Sequence, residues 1–172
     1  MSRRTTAEYL MVDTKTLDSL INLDNEELGD KIYDLSYNDR FESVDIGEIW
    51  NALHCLLTGV LGTDKTIEGN KLSEAIVGIH ECDFDYDNDD HDFISYIRNE
   101  ELSEIIKALE SFNFETIKQE LIPRRFQETE IQSSLRKIQD QYIIEMQEAV
   151  EDLLEFYKEA LKMNYHVMIS FT

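Results

Sequence analysis

The chain has 172 residues, with 37 aspartates and glutamates against 16 lysines and arginines, so its formal net charge at pH 7 is −21. One domain over residues 1–172 is expected at this length, and a hydrophobic share of 42% is too large for an intrinsically disordered chain. The acidity argues against a nucleic-acid partner and against an anionic membrane, because carboxylates repel polyanions and acidic headgroups.

The longest unbroken apolar run is the four-residue stretch Tyr9–Val12, which predicts that no segment spans a membrane. The first residues, Met-Ser-Arg-Arg, lead into no apolar stretch of the length that a secretion signal needs. Cys55 and Cys82 are therefore interpreted as free thiols in a reducing compartment. We expect a cytoplasmic protein.

The N-terminal half is predicted to form one strand followed by capped helices. Residues 5–12 alternate in part between polar and apolar side chains, as a strand does. Asp13 and Asp24 each precede apolar residues at helical spacing and are expected N-caps. Asp45, with a glutamate three positions later, repeats this pattern and predicts a further helix that ends at Gly59.

The middle of the chain is predicted to contain short elements. A helix of one or two turns is expected around residues 72–76, followed by an acidic loop over residues 80–92. Residues 93–98 alternate as a strand does, and Asn99 is the expected N-cap of the next helix. A short helix is expected over residues 117–121.

The last third predicts one long amphipathic helix and a terminal strand. Apolar residues recur at steps of mostly three or four from Leu135 to Leu161, which predicts a helix of about 27 residues. Residues 167–171 then alternate as a strand. The expected fold class is α+β: a helix-rich single domain with a small mixed β-sheet that includes N- and C-terminal strands, and a long C-terminal helix.

One segment resembles a known family. Residues 49–59 read Ile-Trp-Asn-Ala-Leu-His-Cys-Leu-Leu-Thr-Gly, and the pattern W-x-x-L-H-x-L-L-T-G is similar to the signature of the YfbM-like family of bacterial proteins, classed as a domain of unknown function. Residues 72–78, 99–110 and 156–160 agree with the family in order and spacing, whereas the N-terminus lacks the Gly-Met-rich strand expected of it. The resemblance implies an α+β fold and brings no established reaction.

Trp50, His54 and Thr58 are four residues apart, so they share one face of the predicted helix. An indole, an imidazole and a hydroxyl beside a glycine-containing loop are the groups of a small polar pocket for a ligand or substrate. The alternative is structural: Trp50 belongs to the core, and His54 is a hydrogen-bonded histidine that holds the next loop. A single histidine without a nucleophile or carboxylate partner defines no catalytic geometry.

Residues 59–66 imitate a phosphate-binding loop only in part. Gly59, Lys65 and Thr66 occupy matching positions, but Asp64 stands where the second glycine belongs. A carboxylate there would face the phosphates, and the segment follows a helix rather than a strand. We expect no nucleotide cofactor.

The acidic loop does not match a dedicated metal site. Against a calcium-binding EF-hand loop, Asn88 replaces the required glycine and Ile94 the bidentate glutamate. His80, Cys82 and His91 offer zinc three ligands, but at spacings that no common zinc site uses. We therefore expect neither a metal nor another cofactor.

The density of charge in this loop favours an interaction surface. Residues 74–104 hold eleven acidic residues and one basic residue. The candidate partner-binding face consists of Asp83, Asp85, Asp87, Asp89, Asp90 and Asp92. Such a field attracts a basic protein and accelerates its encounter.

The expected function is therefore that of a non-enzymatic acidic interaction protein, such as an immunity or inhibitor protein for a basic toxin. The alternative is an enzyme or a small-ligand-binding protein that uses Trp50, His54 and Thr58.

Overall fold

The computed structural model describes residues 5–38, 40–60, 67–82, 93–115 and 139–172. In these ranges the helices are α1 (Thr14–Leu20), α2 (Asn25–Tyr37), α3 (Trp50–Thr58), α4 (Lys71–Val77), α5 (Leu102–Ser111) and α6 (Gln139–Lys162). The strands are β1 (Ala7–Val12), β2 (Ser43–Gly47), β3 (His80–Glu81), β4 (Phe93–Ile97) and β5 (His166–Phe171). The predicted α+β class is confirmed.

The five strands form one sheet in the order β2-β1-β5-β4-β3, and each pairing is antiparallel. The sheet was expected to be mixed, so this detail is a correction. The sheet includes both terminal strands, as predicted, and they pair with each other, with Tyr9 opposite Ile169. Both strands have runs of apolar residues on both faces, because they lie at the centre of a sheet covered on both sides.

The two faces of the sheet carry separate hydrophobic clusters. Helices α3 to α6 pack on one face, where Tyr9 and Met11 join the larger cluster. Helices α1 and α2 cover the other face, where Leu10 and Val12 join the smaller one. Alternation along β1 thus sends successive side chains to opposite layers. Within the described ranges, no helix has the length and apolar character that crossing a membrane requires.

The first two predicted N-caps are confirmed, and the third is wrong. The Asp13 and Asp24 carboxylates accept the N–H groups of Thr16 and Glu27, three residues ahead. Asp45 instead lies in β2, where its carboxylate accepts the N–H of Gly47 at 2.7 Å. Aspartate makes such short-range bonds in turns and strand ends as readily as at helix starts, so the sequence pattern did not distinguish them.

Asn99 is not the N-cap that the sequence predicted. It begins a short 3₁₀ turn before α5, and the N–H of Arg98 is accepted there by the Glu101 carboxylate at 2.8 Å. The Asn99 amide instead donates to the carbonyls of Ala160 and Tyr165, at the end of α6. It therefore satisfies carbonyls that a helix C-terminus leaves without intrahelical donors.

The loop predicted over residues 80–92 is wrong at its start, because β3 occupies the first two of these residues. The boundaries of two predicted helices could also be compared. Helix α3 ends at Gly59, which adopts the left-handed conformation, with φ +85°. Helix α6 has 24 described residues and ends beside β5. The first residues of the long helix predicted from Leu135, and the short helix predicted over 117–121, lie outside the described residues.

Candidate functional site

Trp50 begins α3 and belongs to the larger hydrophobic cluster, with 6% of its surface exposed. Its ring lies 4.6 Å from that of Phe171, centroid to centroid. Its indole N–H donates to the carbonyl oxygen of Thr5 at 3.0 Å. The side chain thus ties the start of α3 to the residues before β1 and to the end of β5.

His54 lies one turn further along α3 and is fully buried. Its Nδ1 is 2.6 Å from the carbonyl oxygen of Val60, and a carbonyl only accepts, so Nδ1 carries the proton. In the neutral ring, Nε2 then accepts from the Ser73 hydroxyl at 2.7 Å. The Ser73 oxygen itself accepts the N–H of Ile67 at 3.3 Å. One imidazole thus joins the residues on either side of the segment 61–66.

Thr58 completes this cluster at the end of α3. Its hydroxyl donates to the carbonyl oxygen of His54 at 2.7 Å and accepts the N–H of Val60 at 3.2 Å. Burial lowers the pKa of His54, and the Val60 carbonyl opposes that shift only in part. In this neutral, doubly bonded state the ring acts as a connector. A ligand pocket around Trp50, His54 and Thr58 stays a prediction.

The candidate acidic face lies outside the described residues, because residues 83–92 fall in a gap between the described ranges. The same holds for residues 61–66 of the phosphate-loop imitation and for His91. Of the other two zinc candidates, Cys82 is buried, and the His80 Nε2 is 2.8 Å from the Glu101 carboxylate. In the described part of the chain, no three or more His, Cys, Asp or Glu side chains are placed to hold a metal ion.

Sequence reasoning missed a groove between β2 and α6, which we call the acidic groove. One end has a volume of about 740 Å³ and lies between residues 40–44 and the C-terminal half of α6. The other end, of about 380 Å³, lies between residues 45–49 and the middle of α6. Asp152 lines both ends, so the two adjoin at this residue.

Carboxylates dominate the walls of the acidic groove. The only basic side chain among its described lining residues is Arg40. Its floor includes Phe156 and Ala149, and the edge strand β2 forms one wall. The acidic residues that line it are Glu42, Asp45, Glu48, Glu145, Glu148, Asp152, Glu155 and Glu159.

The wall of the groove that α6 forms could have been predicted from the sequence. Five acidic residues recur along α6 at alternating steps of three and four, which places them on one helix face: Glu145, Glu148, Asp152, Glu155 and Glu159. The other wall depends on the position of β2, a strand that was not predicted. Only the fold brings the two acidic walls together.

Comparisons with known proteins agree with this architecture. Protein YfbM of Escherichia coli strain K12 is 25% identical over 163 residues, which cover 93% of each chain. The crystal structure of a protein of unknown function YfbM from Escherichia coli has a TM-score of 0.75 at 24% identity and covers 97% of this chain and 99% of that one. This likeness confirms the fold. The resemblance to the YfbM-like family is confirmed. Residues 4–170 match the sequence profile of the Domain of unknown function DUF1877, and the chain therefore belongs to the DUF1877 family.

Proposed function

We propose that this protein is a non-enzymatic interaction protein that binds a basic protein partner in the acidic groove. The observation that carries the proposal is the row of carboxylates that lines the groove beside β2, which is an edge strand among the described strands. Most of its acidic side chains are exposed to solvent, where the cationic side chains of a partner can reach them. An immunity or inhibitor protein for a basic toxin is one member of this class.

The geometry fits a polypeptide better than a small molecule. The acidic residues of α6 extend from Glu145 to Glu159, which at helical rise corresponds to about 20 Å of groove. Among the described strands, β2 pairs with β1 alone, so an added strand could pair with its other edge. An extended basic segment matches both the length and the charge of this surface.

Electrostatics supports fast capture of such a partner. The net charge of −21 attracts a cation over long range, and the groove concentrates part of that charge in a concave surface. The six aspartates of residues 83–92 add to the same field wherever they lie. Binding through these groups should therefore have a high association rate that falls with ionic strength.

The test compares association rates for a fluorescent peptide of alternating lysine and serine. The groove variant carries Glu148→Gln, Asp152→Asn and Glu155→Gln. The control variant removes three exposed carboxylates elsewhere, by Asp18→Asn, Glu68→Gln and Glu81→Gln. Both lose the same formal charge, so a difference between them reports position. We expect the groove variant to associate at least about threefold more slowly than the control and to show a flatter salt dependence.

Equal rates and equal salt slopes for the two variants would refute the groove as the binding site. A separate variant tests the predicted face on residues 83–92, with Asp85, Asp87, Asp89 and Asp90 changed to Asn. If that variant alone loses rate and salt dependence, the basic partner binds at the loop and not in the groove. If wild type does not bind the peptide at low salt, the interaction function itself is wrong.

A further inference from the structure

Helix α2 presents an aromatic and acidic face to solvent on the side of the sheet opposite α6. Leu28, Ile32 and Leu35 form its buried stripe in the smaller hydrophobic cluster. The opposite side of the helix is exposed and carries residues separated by three, four or seven positions, which therefore share one face. We call this set the tyrosine face: Glu26, Asp30, Tyr33, Asp34 and Tyr37.

The two tyrosines form an ordered platform rather than isolated exposed rings. Tyr33 is 68% exposed and Tyr37 is 76% exposed, the highest values among large hydrophobic side chains in the described ranges. Their ring centroids are 6.0 Å apart, and their planes lie within 16° of parallel. Two parallel rings beside each other present a continuous aromatic surface to solvent. Exposed apolar surface of this kind is typical of interaction sites.

Carboxylates around the rings define the charge of the occupant. Asp30 precedes Tyr33 by three positions, and Asp34 precedes Tyr37 by three, so each ring has an acidic neighbour on its face of the helix. A second copy of this chain would bring these carboxylates against their own copies, in a molecule that already has a net charge of −21. A cationic side chain instead meets a ring face and a counter-ion together.

Arginine fits this surface better than lysine. Its planar guanidinium stacks on a ring while its N–H groups reach a neighbouring carboxylate, whereas an ammonium group is a compact and strongly hydrated charge. The protein uses the same contact internally. The Arg40 guanidinium lies 5.3 Å from the ring centroid of Phe41, and that of Arg98 lies 5.5 Å from the centroid of Tyr96.

We infer that the tyrosine face binds arginine side chains of the basic partner and selects arginine over lysine. The inference rests on the proposed function for the sign of the partner's charge, and it adds a second surface and a residue preference. The acidic groove attracts arginine and lysine side chains alike. The tyrosine face distinguishes arginine from lysine.

The experiment measures dissociation constants for two labelled peptides of equal length, one with arginine and one with lysine at the same alternating positions. The test variant is Tyr33→Leu with Tyr37→Leu, which keeps apolar side chains on the helix and removes the aromatic faces. The groove variant with Glu148→Gln, Asp152→Asn and Glu155→Gln is the control. Circular dichroism confirms that all three proteins have the same helical content before binding is measured.

We expect wild type to prefer the arginine peptide by at least about threefold, and the double tyrosine variant to bring that ratio close to one. Because the groove and the tyrosine face lie on opposite sides of the sheet, the groove variant should keep the preference for arginine, with a ratio at least as large as in wild type. A ratio near one in wild type, or a ratio unchanged by the tyrosine substitutions, would overturn the inference while leaving the groove proposal standing. A wild-type dimer in sedimentation that the tyrosine substitutions dissociate would assign the face to a second copy and would also overturn it.

Discussion

Ser73 donates a hydrogen bond to His54 across the interface between α3 and α4, with Oγ and Nε2 2.7 Å apart. The other ring nitrogen of His54 donates to Val60, and the Ser73 oxygen accepts from Ile67. Because all four groups belong to one chain of hydrogen bonds, loss of any member leaves a polar neighbour without its partner. This relationship explains why a histidine and a serine are buried among apolar helices.

Ser73→Ala should therefore destabilise the protein by about 1–3 kcal/mol. The substitution leaves His54 Nε2 without a donor and the Ile67 N–H without an acceptor, in a region where Ser73 and His54 are fully buried. Urea unfolding measures the change. Ser19→Ala is the matched control, since Ser19 is exposed and bonds only within α1, and its effect should stay within about 0.5 kcal/mol. Equal effects at the two serines would show that the buried network contributes nothing.

Stability should fall as the pH decreases from about 7 to 5. Burial is the main cause that lowers the pKa of both His54 and His166, so the folded state favours the neutral rings. The unfolded chain binds protons at the usual pKa of about 6.5, and the stabilisation present above that pH is lost as the pH falls toward the lower folded values. In His166, Nδ1 accepts the N–H of Asn99, a bond that protonation removes.

Urea midpoints at pH 7.5 and 5.5 check this expectation, and the midpoint at pH 5.5 should be lower. In His166→Gln one of the two rings with a lowered pKa is gone, so the difference between the two midpoints should shrink. A midpoint that rises at pH 5.5 in wild type would mean that relief of carboxylate repulsion outweighs the two histidines in this range.

Trp50→Ala should cost about 3–5 kcal/mol, because truncating a buried indole leaves a cavity against Phe171 and removes the bond to Thr5. Trp50→Phe keeps an aromatic ring in the cluster and should cost less. Tyr37→Ala, at a side chain that is 76% exposed, should change the free energy of unfolding by less than about 0.5 kcal/mol. A loss below half a kcal/mol for Trp50→Ala in urea unfolding would contradict the core position.

The parts of the fold that were predictable from sequence have local signals. Alternation of apolar residues placed β1, β4 and β5, and apolar residues three and four apart placed α2 and α6. Strand β2 was missed because it is an edge strand of five residues with no fully buried position, and Asp45 within it has the appearance of a helix cap. The contacts of Asn99 could not be predicted from local sequence either, because its partners at Ala160 and Tyr165 are more than sixty residues away.

The candidate sites also consist of features that have a local sequence signal and features that depend on how the helices and strands pack. The interpretation of Trp50 and His54 as structural residues required only that two large side chains on an apolar helix be buried. Helix periodicity predicts such burial. The bond from His54 to Ser73 was beyond prediction, because it depends on how α3 packs against α4. The acidic stripe on α6 was readable, whereas its facing wall requires the strand order of the sheet.

Gly78→Ala should destabilise the protein by at least about 3 kcal/mol, because strained backbone and an overpacked core each cost about 1–3 kcal/mol. Gly78 has φ +85° and ψ 179°, a region that only glycine adopts readily. A Cβ atom there would lie 2.3 Å from the Ser95 Oγ, and that hydroxyl is buried and held by its bond to the Val77 carbonyl. Gly59 has the same φ with nothing within 4 Å of its Cβ position, so Gly59→Ala should show the cost of the left-handed backbone alone, about 1–2 kcal/mol.

The Ser95→Gly background separates the two causes in Gly78→Ala even if the single variant does not fold. With the serine side chain absent, the two atoms nearest the new methyl group are gone, and adding Gly78→Ala should cost only the backbone contribution. Urea unfolding of Ser95→Gly with and without Gly78→Ala gives that difference directly. A penalty as large in the Ser95→Gly background as in wild type would show that backbone strain, and not the close approach of β4 to the end of α4, makes glycine necessary at this position.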